Sequence, residues 1–173
     1  FNYSLKKLNC FNIGGDAKIY FKPDTLQDLV EFLKLYKKEE KLFVLGAGSN
    51  VLFKDNLFEG AVVKLSKKFS RISLLNEDTI IAGSGALDKT LADFALENSL
   101  SGFEFLSCIP GSIGGGIRMN SGCFDREFKD ILISVQAINR SGEILTIPSK
   151  EIIFDYRSCD FDKDLIFLSA TFK

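Results

Sequence analysis

Apolar residues fall at Leu26, Leu29, Val30, Leu33 and Tyr36, the three-and-four spacing of one helix face. Thr25 precedes them and Asp28 follows it by three positions, so the pattern predicts an N-cap with a capping box. Upstream, Ala17–Phe21 is a short extended segment ended by Pro23. Downstream, Leu42–Leu45 and Ala61–Leu65 are apolar runs of strand length. Residues 17–65 therefore predict a small βαβ-type unit with an added strand.

The pattern changes after Lys67. Ile72–Leu75 and Thr79–Ala82 are short strands around Asn76-Glu77-Asp78, a hairpin signal. Leu87, Leu91, Phe94 and Ala95 mark a second helix, with Asp88 near its start and Gly102 beyond its end. Ile131, Ile133, Val135 and Ala137 alternate strictly, the turn Asn139–Gly142 follows, and Ile144–Ile147 returns. Leu165–Phe172 is the last strand. The expected fold class is α+β, with a βαβ-type N-terminal subdomain over residues 1–66. A larger α+β subdomain with a mostly antiparallel sheet is expected over residues 67–173. No internal repeat or low-complexity tract interrupts this order.

Composition narrows the chemistry. The 173 residues are 46% hydrophobic and 26% charged, enough for a core, and 17 of them are Phe. A net charge of -1 gives no basic field for nucleic acid or anionic lipid. No apolar run approaches the roughly 20 residues that span a bilayer, so no membrane insertion is expected. Cys10, Cys108, Cys123 and Cys159 lack CxxC spacing, and the chain has no His. No metal site is expected, and Ser-His-Asp and Cys-His catalysis are excluded. Reduced thiols in a cytoplasmic protein are the expectation.

Glycine supplies the candidate site. Gly46-Ala47-Gly48-Ser49-Asn50 follows an apolar strand, and Gly83-Ser84-Gly85-Ala86 forms a second such loop. A third candidate covers residues 110–122 and includes Gly111, Gly114, Gly115, Gly116 and Gly122. Backbone amides in loops of this kind can cradle phosphate. One such loop is most often only a turn; three in one small chain favour a phosphate-rich cofactor. Val51 breaks GxGxxG and no Gly-Lys pair exists, so neither a Rossmann site nor a P-loop is supported.

The segments NCFNIGGDA (9–17), LGAGSNVLFKD (45–55), GSGA (83–86), GFEFLSCIPGSIGGGIRMNSGCFDREFKD (102–130) and FDYRSCDF (154–161) occur in this order. Together they resemble the UDP-N-acetylenolpyruvoylglucosamine reductase family. Its FAD-binding part is similar to the wider vanillyl-alcohol-oxidase, or PCMH-type, flavoproteins. The GAGSN loop is common to that superfamily. The IPGSIGG…NSG segment joined to a downstream Tyr-Arg is more specific.

The resemblance implies non-covalent FAD between two subdomains. Leu45, Gly46, Ala47, Gly48, Ser49, Asn50 and Val51 would cradle the pyrophosphate. Gly83, Ser84, Gly85 and Ala86 would line the other wall, with Ile109, Pro110, Gly111, Ser112, Gly114, Gly115, Asn120, Ser121 and Gly122. It also implies NADPH as co-substrate and UDP-N-acetylglucosamine enolpyruvate as substrate, in peptidoglycan precursor synthesis, by a monomeric cytoplasmic enzyme. Arg157 matches the family's catalytic arginine, with Tyr156 positioning substrate. On spacing alone Tyr156-Arg157 reads as a strand-end surface pair. The family's proton-donor serine and assisting glutamate belong to a C-terminal substrate domain for which residues 1–173 hold no counterpart. The chain is therefore expected to bind FAD and to turn over poorly alone. Two alternatives stand beside this reading: another PCMH-type FAD-dependent oxidase or dehydrogenase, and a non-catalytic flavin-binding module.

Overall fold

The computed structural model describes all residues, Phe1–Lys173. Its first half is a four-stranded sheet. Strand β1 (Tyr3–Ser4) pairs antiparallel with β2 (Asp16–Phe21), which leads into helix α1 (Leu26–Leu35). Strands β3 (Lys41–Val44) and β4 (Phe58–Val63) complete it in the order β1-β2-β4-β3. β2, β4 and β3 are mutually parallel, so their carboxyl ends, at Phe21, Val63 and Val44, share one edge. The α1 start follows from local chemistry. The Thr25 hydroxyl accepts from the Asp28 N–H at 3.1 Å and the Asp28 carboxylate accepts from the Thr25 N–H at 2.8 Å.

The second half is a five-stranded antiparallel sheet in the order β10-β9-β13-β6-β5. Its parts are β5 (Ile72–Asn76), β6 (Thr79–Gly83), helix α2 (Asp88–Glu97), helix α3 (Ile113–Arg118), the hairpin β7 (Gly122–Cys123) and β8 (Arg126–Glu127), then β9 (Leu132–Ile138), β10 (Ile144–Pro148), the hairpin β11 (Phe154–Asp155) and β12 (Ser158–Cys159), and β13 (Ile166–Phe172). One face carries α2 and α3 over the main core, where Leu91, Phe103, Leu106, Ile113, Ile117, Phe128, Val135 and Phe172 are buried.

The two sheets share a second core. Leu29 and Leu33 of α1 and Val63 of β4 pack against Ile138, Ile166 and Leu168. Burial of each such side chain stabilises by about 2 kcal/mol. A polar tie reinforces this contact. Arg140, in the β9–β10 turn, donates from Nη2 to the carbonyls of Lys37, Lys38 and Glu40 at 2.8, 3.2 and 3.1 Å. Its guanidinium also lies over the Tyr36 ring.

One expectation needs correction. Residues 110–122 read as a continuous anion-facing loop, but Ile113–Arg118 is helical. Gly114 to Gly116 are poor helix formers. Close packing requires two of them: a β-carbon on Gly116 would lie 2.2 Å from Phe128 Cε2, and one on Gly114 would lie 3.1 Å from Ser84 Cβ.

Candidate functional site

The loop after β3 lies at the carboxyl edge of the parallel strands, where open α/β sheets place ligands. The N–H of Leu45 donates to Val63 O at 2.8 Å, closing the ladder. The next five N–H groups, Gly46 to Asn50, donate to no protein acceptor. The loop is pinned from behind by the N-terminal segment. Cys10 N–H donates to Gly48 O at 3.0 Å, and Gly48 has φ +81° with Leu8 O where a β-carbon would be. Only glycine fits there. Asn9, itself buried, holds that segment by donating to Leu5 O and Ile13 O. The matched stretch 9–17 is therefore a brace for the loop, a role that sequence reasoning had not assigned.

Facing the loop is Ser112, 4% exposed, at the start of α3. Its Oγ has no partner in the protein and lies 2.5 Å from where a β-carbon on Gly46 would be. A buried orphan hydroxyl next to a row of unpaired amides suits an oxygen-rich anion. The diphosphate of a flavin dinucleotide fits this donor set.

The other wall is more committed. Gly83, Ser84, Gly85 and Ala86 donate their N–H groups to Arg71, Leu168, Phe69 and Gly83 carbonyls. Ile113 and Gly114 donate to Ala86 and Ser84 carbonyls. These segments are laced to each other and present surface rather than free amides. Their expected role as amide donors is thus corrected, because the hydrogen bonds that set the loop shape consume the N–H groups. Ile109, Pro110 and Gly111 form the turn that feeds this lacing, with Asp88 N–H donating to Gly111 O at 3.1 Å.

At the far end of α3, Asn120 is fully buried and its side chain is spent inside the protein. Its amide donates to Glu127 Oε2 and Asp155 O, and its Oδ1 accepts from the Lys129 N–H. Asn120 therefore holds the local backbone and leaves no side-chain donor free. It ties the 120–122 segment to the hairpin that carries Tyr156 and Arg157. Arg157, at φ +53° in that hairpin turn, donates from Nη2 to Gly122 O at 2.9 Å, and its guanidinium lies over the Tyr156 ring. Both side chains are exposed, so the guanidinium keeps donors free on the open side. A hydrogen bond from Lys129, aided by Asn120 and the Arg157 charge, holds the Glu127 carboxyl below the usual range.

Two charged residues near the loops were not singled out as site residues from sequence. The Lys64 ammonium, half-buried just past β4, donates to the Gly46 carbonyl. Desolvation, with Lys22 nearby, pushes its pKa down. Asp88, the first residue of α2, is fully buried with both carboxylate oxygens unpartnered, and desolvation raises its pKa to about 7. Neither lysine nor aspartate is marked in sequence by any burial signal of its own.

Residues 17–148 match the family described as FAD binding domain. The chain belongs to that family. It is also similar, at 60% identity over all 173 residues, to the UDP-N-acetylenolpyruvoylglucosamine reductase of Pelagibacter ubique (strain HTCC1062), of which it covers 57%. The reductase of the same name from Rickettsia felis is 46% identical over 172 residues, with 58% of its length covered. The crystal structure of UDP-N-acetylenolpyruvylglucosamine reductase from Thermus caldophilus superposes with a TM-score of 0.86 at 28% identity, covering 98% of this chain and 60% of that one. The chain thus spans somewhat more than half the length of these relatives. In this chain the 46–50 amides and the neighbouring Ser112 hydroxyl are donors without a protein acceptor.

Proposed function

We propose that this chain is the FAD-binding portion of a UDP-N-acetylenolpyruvoylglucosamine reductase that reduces UDP-N-acetylglucosamine enolpyruvate with NADPH. The observation that carries the reading is the row of five unpaired amides at Gly46–Asn50 facing the orphan Ser112 hydroxyl. Its setting, a chain 60% identical along its length to such a reductase, supplies the substrate class.

Bound FAD supplies the hydride chemistry, which no side chain here can perform. The chain supplies placement. The 46–50 amides and Ser112 hold the diphosphate, and the laced 84–86 and 112–115 segments give the cofactor a fixed wall. Arg157 faces the open side, and its guanidinium stabilises negative charge on the substrate carboxylate as that charge grows in the transition state. Tyr156 packs against Arg157 and limits its swing. These residues thus account for cofactor placement and for charge stabilisation at the substrate carboxylate. We further propose residues 1–66 and 67–173 as its two FAD-binding subdomains, working as a cytoplasmic monomer.

The visible spectrum of the purified protein tests the reading. Bands at about 370 and 450 nm, released with FAD on denaturation, are expected of an oxidised flavin. Protein that takes up no flavin would overturn it.

A further inference from the structure

Lys64, Gly46 and Ser112 form a contact chain across the two halves of the molecule. Lys64 follows β4 and belongs to the parallel sheet; Ser112 opens α3 on the antiparallel one. Both side chains meet Gly46, the ammonium at its carbonyl and the hydroxyl at its α-carbon. An ammonium has three donors, and the Gly46 carbonyl takes one. None of the chain's five ion pairs includes Lys64. A half-buried cation with Lys22 nearby and no carboxylate partner is costly to keep unless an anion joins it. The Ser112 hydroxyl carries a matching cost, since it is buried and unpaired.

We propose that Lys64 and Ser112 clamp the diphosphate of the cofactor, one jaw from each half of the molecule, meeting at Gly46. This rests on the flavin reading above. It adds a fixed positive charge to a site that otherwise offers only neutral donors. The diphosphate is the one anionic group of FAD, and the carboxyl edge of the parallel strands brings both the free amides and Lys64 to it. The clamp also makes diphosphate binding depend on the two sheets being docked.

The test measures FAD affinity by flavin fluorescence at several salt concentrations, in wild-type protein and in Lys64→Gln, Lys64→Met, Lys64→Arg and Ser112→Ala. Removing the charge is expected to weaken FAD binding about ten- to a hundredfold, the range of a charged hydrogen bond, and to flatten its salt dependence. Lys64→Arg retains most of the affinity, and Ser112→Ala loses several-fold. Inorganic pyrophosphate raises the thermal midpoint of flavin-free wild-type protein but not that of Lys64→Gln. A lysine that merely latched the loop would leave the salt dependence unchanged. Lys64→Gln and Lys64→Met that bind FAD within about twofold of wild type, with unchanged salt dependence, overturn the clamp and leave the flavin reading standing. Wild-type protein that binds no FAD overturns both.

Discussion

The carboxylate of Asp88 lies against the α-carbon of Gly111, so close that a β-carbon there would sit 2.4 Å from Oδ2. No donor reaches either oxygen, and burial raises the pKa to about 7. The neutral acid is thus favoured in the folded chain, against an ordinary value near 3.8 when unfolded. The sign is opposite to that of a salt-bridged aspartate. Stability from this group is greatest below about pH 4, falls as pH rises to about 7, and is level above. The full span is on the order of 4 kcal/mol. Asp88→Asn should remove that slope and unfold at higher urea than wild type at pH 8. Parallel pH dependences of the two proteins in urea titrations would refute it.

Arg140 serves three carbonyls in the turn between α1 and β3 from the opposite sheet. Arg140→Ala strands them and should cost about 2–4 kcal/mol. Arg140→Lys should recover only part, since an ammonium lacks the planar fork. Chemical denaturation monitored by circular dichroism measures both.

Gly48→Ala puts a methyl group on a residue at φ +81° and into the Leu8 carbonyl. The brace from residues 8–10 must shift, so FAD affinity should fall together with stability, the latter by at least about 1–3 kcal/mol. A variant with unchanged thermal midpoint and unchanged flavin uptake contradicts this placement of the loop.

Arg157→Ala, made in a complete reductase that includes these residues, should lower kcat about 100- to 1,000-fold, the usual effect of losing one preorganised charge stabiliser. The flavin spectrum should be unchanged. Equal turnover would move the active centre elsewhere and favour a flavin-binding module.

Much of this architecture is written locally. Thr25 and Asp28 announce α1, and the alternation from Ile131 marks β9, because capping and strand pleat are properties of neighbours in sequence. The 46–50 loop is legible for the same reason. Helix α3 is not, since three consecutive glycines argue against a helix and the close contacts of Gly116 with Phe128 and of Gly114 with Ser84 are tertiary. The spent amides of residues 83–85 are equally hidden, because their acceptors lie at Arg71, Leu168 and Phe69. Lys64 reads as one more surface lysine until the strand order brings it beside Gly46.

In β13 the pairing with β9 slips between Phe167 and Ser169. The ordinary pleat turns Phe167 toward the α2–α3 core and Leu168 toward α1, and the extra residue shifts the phase so that Ala170 and Phe172 return to the side of Phe167. The Leu168 carbonyl meanwhile accepts the Ser84 N–H, and Ser84 O accepts that of Gly114. One strand therefore serves two cores, with Ile166 and Leu168 packed toward α1 and Phe167, Ala170 and Phe172 on the other side. The 83–86 wall is thus shaped by bonds made within the protein, and it needs no ligand to order it.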